Sequence, residues 1–180
     1  MKFIAGFIAA LVLIVVVAAV TTVTGVYNVA ATVPETGLER MVLGAVMSFS
    51  VRTHAGPDVS KTWNHDQMHE GFQEYNEMCV YCHGAPGKEA NEIGKGLRPP
   101  PPNLADAAPQ WDNSELFWIV KNGIKMTGMP AFGPTHSDDT IWSIVGFVRR
   151  LPHLTADQYS QMEKHVTEPH DHAESHEHHH

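Results

Sequence analysis

The sequence predicts an all-α protein in which helices and two long loops follow one apolar N-terminal helix. Residues 3–34 carry no charged side chain, and several later segments repeat apolar residues at helical spacing. No segment shows the alternation of apolar and polar residues that is typical of a half-buried strand. Glycine and proline in residues 85–108 and 124–135 predict loops between the helices.

The N-terminal segment, residues 1–34, is predicted to be a membrane anchor. Phe3–Val20 is almost wholly apolar, and about 20 apolar residues span a bilayer as a helix. Lys2 precedes this run and favours a cytoplasmic N-terminus. A cleavable signal ending near 29–31 is the alternative, but the apolar run exceeds the roughly 7–15 residues of a signal sequence. Either way, the rest of the chain is expected to be exported into an oxidising compartment.

Residues 35–60 are predicted to form a helix and a linker. Glu39–Arg52 has apolar residues at helical spacing and charges at both ends. This helix could lie in the membrane interface or pack on the soluble domain, and its pattern does not decide between the two. The sequence HAGPD at 54–58 is typical of a turn.

Residues 61–153 are predicted to form the soluble domain. Three segments have helical patterns or caps: about 65–78, 114–122 with Asn113 as N-cap, and 138–151 with Ser137 as N-cap. The long loop at 85–108 is unusual in a compact domain unless it wraps something, which predicts a bound cofactor.

Two segments follow the soluble domain. Residues 154–168 are expected to be an extension and residues 169–180 a disordered tail with six histidines. That tail could be passive, a weak metal binder or the remnant of a tag. The chain has a net charge of −8 from 12 basic and 20 acidic residues, which argues against nucleic acid as a partner.

The two cysteines of the chain are Cys79 and Cys82, and His83 follows the second one directly. A redox dithiol would be expected near a βαβ pattern, which is missing. A zinc site with His65 and His69 would invert the usual ligand order and leave His83 without a role. Covalent haem uses the whole motif, because two thiols three apart can form thioethers to one haem while the histidine binds its iron.

The segment 66–153 resembles the class I c-type cytochromes at several separated points. The points are Gly71 and Tyr75 ahead of the motif, Cys79–Gly84, Pro99–Leu104, Asn122–Ile124, Gly128–Phe132 and the closing helix. It is most similar to small tethered cytochromes and to cytochrome subunits of respiratory complexes. The resemblance implies a class I cytochrome c fold around one covalent haem c.

The resemblance also implies roles for particular residues. Cys79 and Cys82 would form the thioethers. His83 and Met129 would be the two iron ligands, with Met126 as a rival for the second place. A carbonyl among Pro100, Pro101 and Pro102, with Pro101 singled out, would accept the N–H of the proximal histidine, and Leu104 would wall the haem. Gly71 and Tyr75 are expected to meet Trp142 or Phe147 where the first and last helices of the domain cross.

The implied function is one-electron transfer rather than enzyme catalysis. The expected location is the bacterial inner membrane, with the haem domain in the periplasm. The family-level partners are a quinol-oxidising complex, a terminal oxidase or a periplasmic dehydrogenase. The alternative is a fixed cytochrome subunit of a larger oxidoreductase, and a gas-binding or peroxidase-like cytochrome is a third option.

Overall fold

The computed structural model of the chain describes residues 2–167, and the chain divides after Pro34 into two units. The α-helices are α1 (Lys2–Thr24), α2 (Gly37–His54), α3 (His65–Glu74), α4 (Val80–His83), α5 (Glu92–Gly96), α6 (Leu104–Ala107), α7 (Asn113–Asn122), α8 (Asp138–Arg150) and α9 (Ala156–Thr167). Residues 2–167 contain no strand, only an isolated bridge between Ala85 and Lys88. The predicted all-α class is confirmed. The histidine-rich tail, 169–180, lies outside the described residues.

The first unit consists of α1 and the short segment that follows it. The helix has 23 residues and a mean hydropathy of 3.1 in its most apolar window, and none of its residues is buried. At 1.5 Å per residue it is about 34 Å long, enough to cross a hydrocarbon core of about 30 Å. Its length and composition are therefore those of a membrane-spanning helix.

Helix α2 begins the second unit and packs on α7 near its C-terminal end. A capping box between Thr36 and Glu39 fixes its start. Val51 is completely buried, and Arg52 lies 3.7 Å from the carboxylate of Glu115 in α7. The sequence left open whether this helix lies in the membrane interface or packs on the soluble domain. One side of the helix does pack on the domain.

The core of the second unit lies where α3 crosses α8. Gly71 is so close to α8 that a Cβ atom there would overlap a backbone carbonyl. Tyr75 packs on Phe147 with ring centroids 5.3 Å apart. The predicted crossing is therefore confirmed with Phe147, whereas Trp142 stacks on Phe117 instead.

Helix α9 is an element that the sequence interpretation missed. Thr155 and Gln158 form reciprocal side-chain to backbone bonds at its start, and the sequence TADQ carries that capping signal. Tyr159 is buried against Phe72, with ring centroids 5.5 Å apart. The segment expected to be an extension thus completes the core of the domain.

Two predicted local details are wrong. Helix α7 is capped by Asp112, which forms a capping box with Glu115, rather than by Asn113. The side chain of Asn113 instead accepts a bond from Arg149 Nε at 2.8 Å. The stretch 85–108, expected to be irregular, contains α5 and α6, each started by an asparagine cap.

Candidate functional site

A continuous helical segment carries the two cysteines and the histidine. Helix α3 passes into one π-helical turn, Tyr75–Cys79, and then into α4. Cys82 therefore lies one turn after Cys79, and the helix stops at Gly84 with φ of 66°, a left-handed conformation that favours glycine. Both thiols are free and partly buried.

The hydroxyl of Tyr75 fixes the end of this segment. It is buried and donates to the carbonyl of Gly84 at 2.6 Å, and burial raises its pKa. Since Gly84 directly follows His83, this bond holds the backbone just after the histidine. Tyrosine at this position is thus part of the support of the site.

Replacing Tyr75 by phenylalanine is expected to lower the free energy of unfolding by about 1–2 kcal/mol, because the buried Gly84 carbonyl loses its donor. Chemical denaturation followed by circular dichroism measures this change. Tyr81→Phe is the matched control, since Tyr81 is 51% exposed and its replacement should change little. Equal stability of the two variants would contradict the supporting role of Tyr75.

His83 is oriented by a backbone carbonyl. Its Nδ1 lies 2.8 Å from the carbonyl oxygen of Pro102. A carbonyl can only accept, so Nδ1 carries the proton and Nε2 keeps a lone pair. Burial lowers the pKa of His83, and the bond to Pro102 opposes this shift. The acceptor is therefore Pro102, and the choice of Pro101 was wrong. The orientation of the loop decides which of several consecutive carbonyls faces the histidine ring, and the sequence does not encode it locally.

The environment of the cysteines disfavours both a redox dithiol and a zinc site. Burial, together with the nearby Glu74 and Cys82, raises the pKa of Cys79 to about 12. Redox dithiols and zinc thiolates need the opposite shift. Among residues 2–167, no three metal-ligating His, Cys, Asp or Glu side chains form a group, and the His65 side chain is 93% exposed.

The first loop wraps closely around the cysteine motif. The N–H of Asn91 donates to the carbonyl of Tyr81 at 2.8 Å. A Cβ on Gly94 would lie 2.8 Å from the Cα of Cys82, so only glycine lets this loop approach. Pro101 lines a cleft of about 590 Å³ beside Cys82 and His83. Leu104 is partly buried and packs against the core.

The second loop holds Met129 at both backbone groups. The N–H of Met129 donates to Thr127 Oγ1 at 3.1 Å, and its carbonyl accepts from the N–H of Ile124 at 3.2 Å. Met129 is partly buried, whereas Met126 is 86% exposed and has φ of 62°. The structure thus separates a fixed methionine from one at the loop tip.

The two loops meet each other. A Cβ on Gly128 would lie 2.5 Å from Leu97 Cδ1, so the methionine loop closes against the loop that carries Pro102. On its other side, the N–H of Phe132 donates to the carbonyl of Val120 in α7 at 3.1 Å. The loop is therefore held from both sides.

The sequence interpretation missed some of these supports. Thr127, Gly94 and Gly128 were not among the expected site residues. The Thr-x-Met spacing and the glycines next to each motif are signals in the sequence. These signals could have indicated supporting residues, although they do not show which backbone segments lie close to these glycines.

These groups suit a covalently bound haem. His83 has its Nδ1 occupied and its Nε2 lone pair left for a metal. Two unpaired thiols precede it on one helical turn. Met129 has a fixed backbone, in a loop that closes against Leu97 of the loop that carries Pro102. Nitrogen and thioether ligands are those of the haem iron in c-type cytochromes.

The chain is similar to known proteins over this region. The family model described as cytochrome c oxidase, cbb3-type, subunit III, matches residues 66–148. The cbb3-type cytochrome c oxidase subunit FixP of Rhizobium meliloti (strain 1021) is 35% identical over 97 residues, which are 52% of this chain and 32% of that protein. The chain thus spans about a third of the length of this curated relative.

One solved structure also shows a weak likeness. The crystal structure of the c-type cytochrome XoxG from Methylobacterium extorquens AM1 has a TM-score of 0.36 and 18% sequence identity. The match covers 57% of this chain and 72% of that one.

Proposed function

We propose that residues 66–148, which match the cbb3-type subunit III family model, form a class I c-type cytochrome domain that binds haem c, and that the chain is a membrane-anchored electron carrier whose haem iron is held by His83 and Met129. The observation that carries this proposal is the bond from His83 Nδ1 to the Pro102 carbonyl. It leaves Nε2 as the metal-binding nitrogen and fixes the plane of the ring.

Each group of this chain has a distinct task in the proposal. When bound, haem c supplies a one-electron iron couple. Cys79 and Cys82 would hold it covalently, and His83 Nε2 and Met129 Sδ would be the two protein atoms that bind its iron. Pro101 and Leu104 form part of the wall. Two protein ligands leave no iron position for a substrate, which favours electron transfer over bond chemistry.

The choice of Met129 over Met126 is supported by the loop. Both backbone groups of Met129 are hydrogen-bonded, so its side chain starts from a fixed point. Met126, by contrast, is 86% exposed at the loop tip. A ligand on a fixed backbone needs little rearrangement when the iron changes charge, which suits a carrier.

Covalent attachment is tested by removing the thiols. The double variant Cys79→Ala and Cys82→Ala is expected to release its haem into acidified acetone, while the unmodified protein keeps it. The measurements are the extracted haem absorbance, a pyridine haemochrome spectrum and the protein mass. Haem that stays bound to the double variant would contradict thioether attachment. The mass of the unmodified protein also reports whether the N-terminal segment is retained.

The proposed location is the bacterial inner membrane, with α1 as a single anchor and the haem domain in the periplasm. Support comes from the length and hydropathy of α1 and from Lys2 at its start. The proposed partners are membrane-bound or periplasmic redox proteins: a quinol-oxidising complex, a terminal oxidase or a dehydrogenase. Retention in the membrane after alkaline washing is the expected result.

A second candidate function is a fixed subunit of a larger oxidase. The matching family and the relative FixP are both named as subunits of cbb3-type oxidases, which favours this alternative. Purification from native membranes in mild detergent separates the two. Stable co-purifying subunits in fixed ratio would favour the fixed subunit, and a haem protein that elutes alone would favour the carrier.

A further inference from the structure

Helix α2 presents an unusual apolar surface. Six residues lie at positions i, i+3, i+4, i+7, i+8 and i+11, the spacing of one helical side. These residues, named here the α2 apolar face, are Leu38, Met41, Val42, Ala45, Val46 and Phe49. All are exposed, with Phe49 at 70%, Leu38 at 66% and Val46 at 61%. An apolar stripe of this length on a domain surface marks a contact with something else.

The opposite side of α2 is already in use. Val51 is fully buried, and Met47 and Ser50 are partly buried. His54 lies near the Trp118 ring of α7, with ring centroids 6.0 Å apart. The domain itself thus occupies the side that would be polar in a free amphipathic helix. The α2 apolar face is left pointing away from the core.

The chain just before α2 indicates what covers this face. Only residues 25–36 separate α1 from α2, and a chain of 12 residues reaches at most about 40 Å. Residues 25–34 carry no charge, and four exposed side chains there are apolar or aromatic, namely Val26, Tyr27, Val29 and Val33. An apolar sequence therefore runs from the membrane-spanning helix to the α2 apolar face.

One charged residue of α2 fits the same environment. Arg52 follows Phe49 by three residues on the same side, and its side chain, 3.7 Å from Glu115, is still 58% exposed. Long basic side chains at the border of an apolar stripe can reach lipid headgroups while their stems stay in the apolar layer. The face itself carries no polar group that would select a protein partner.

We propose that the α2 apolar face lies in the boundary between headgroups and acyl chains of the bilayer that α1 spans. The haem domain is then held on the membrane surface in one orientation, with its α7 side towards the lipid, rather than moving on a free tether. This inference rests on the membrane anchoring proposed above. It adds a second membrane contact that the anchor alone does not require.

Nitroxide labels on the full-length holoprotein test this inference. Cys79 and Cys82 are the only cysteines and are held in thioethers, so an added cysteine is the single reactive thiol. Labels at Val42→Cys and Phe49→Cys probe the face, and His65→Cys, an exposed residue of α3, is the control. The proteins are placed in vesicles of phosphatidylcholine and phosphatidylglycerol, after haem absorbance has shown that each variant is folded.

The labels at 42 and 49 are expected to relax more with oxygen, which concentrates in lipid, than with a water-soluble nickel chelate. The label at 65 is expected to show the reverse order. Nickel accessibility at 42 and 49 equal to that at 65 would overturn the inference. Protection from both reagents, together with spin–spin broadening, would also overturn it and indicate a second copy of the chain on this face.

Alkaline washing of the same vesicles tests membrane anchoring by α1 separately from the lipid contact of α2. If the protein stays bound but its labels at 42 and 49 are exposed to water, the membrane anchor is supported and the α2 contact is overturned. If the protein is washed off, both the membrane anchor and the α2 contact are contradicted. Bound protein with lipid-exposed labels supports both.

Discussion

Replacing Met129 by alanine is expected to remove the red-region absorption band of a sulfur–ferric iron bond. The same change is expected to lower the reduction potential by on the order of 100 mV or more, since axial ligands tune haem potentials over about 0.8 V. A thioether favours ferrous iron, so water or another donor in its place stabilises the oxidised state. Ferric absorption spectra and a potentiometric titration measure the two effects.

The matched control is Met126→Ala in the same loop. Met126 is 86% exposed, while the N–H of Met129 is held by Thr127. The control is therefore expected to keep both the band and the potential. The positive φ of residue 126 is equally unfavourable for methionine and alanine, so the control should also change stability little.

Three outcomes would contradict the assignment of Met129. The band could persist in Met129→Ala, or it could disappear in Met126→Ala instead. Binding of carbon monoxide by the unmodified reduced protein at neutral pH would be the third, because it would show a labile sixth ligand. Strong binding only after Met129→Ala is the expected result.

Short-range patterns predicted much of the fold. Helix α8 has the expected start at Asp138 and the expected Ser137 cap, because capping and helical spacing are encoded within a few residues. The resemblance also predicts that Gly71 and Tyr75 meet Trp142 or Phe147, and the structure shows the contact with Phe147. Helix α9 was missed although its TADQ start carries a capping signal, since its polar composition obscured the spacing of Tyr159, Met162 and Val166.

The site was predicted less completely than the helices. The motif predicts the roles of Cys79, Cys82 and His83 from their spacing, and these roles, like the rest of the ligand set, stay predictions. The choice of Pro101 over Pro102 was wrong, because the acceptor depends on how the chain returns to His83 over 19 residues. Long-range loop geometry of this kind is set by tertiary contacts, such as the approach of Gly128 to Leu97, and these leave no periodic pattern.

Replacing Gly71 by alanine is expected to destabilise the domain by about 3 kcal/mol, the upper part of the usual range for overpacking. A Cβ at this position would overlap the carbonyl oxygen of Ser143 and lie 2.5 Å from its carbonyl carbon. Both are backbone atoms of α8, so no side chain can rotate away. The two helices must separate instead.

Separation of α3 and α8 would also weaken contacts beside the glycine. Ser143 is 1% exposed and its hydroxyl donates to Glu70 Oε2 at 2.7 Å. The rings of Phe72 and Phe147 meet edge to face with centroids 5.3 Å apart. Each contact joins the same two helices, so their losses add to the cost of the overlap. The haem motif continues directly from α3, and its environment should therefore loosen as well.

The measurement is chemical denaturation of the ferric holoprotein in detergent, followed by helical circular dichroism and by haem absorbance. Gly44→Ala in α2 is the matched control, because a Cβ there meets no atom within 4 Å. In an open helix interior, alanine is favoured over glycine by about 1 kcal/mol. The two glycine-to-alanine changes are thus expected to shift stability in opposite directions. A Gly71→Ala protein as stable as Gly44→Ala would show that α3 and α8 do not cross as closely as the structure has them.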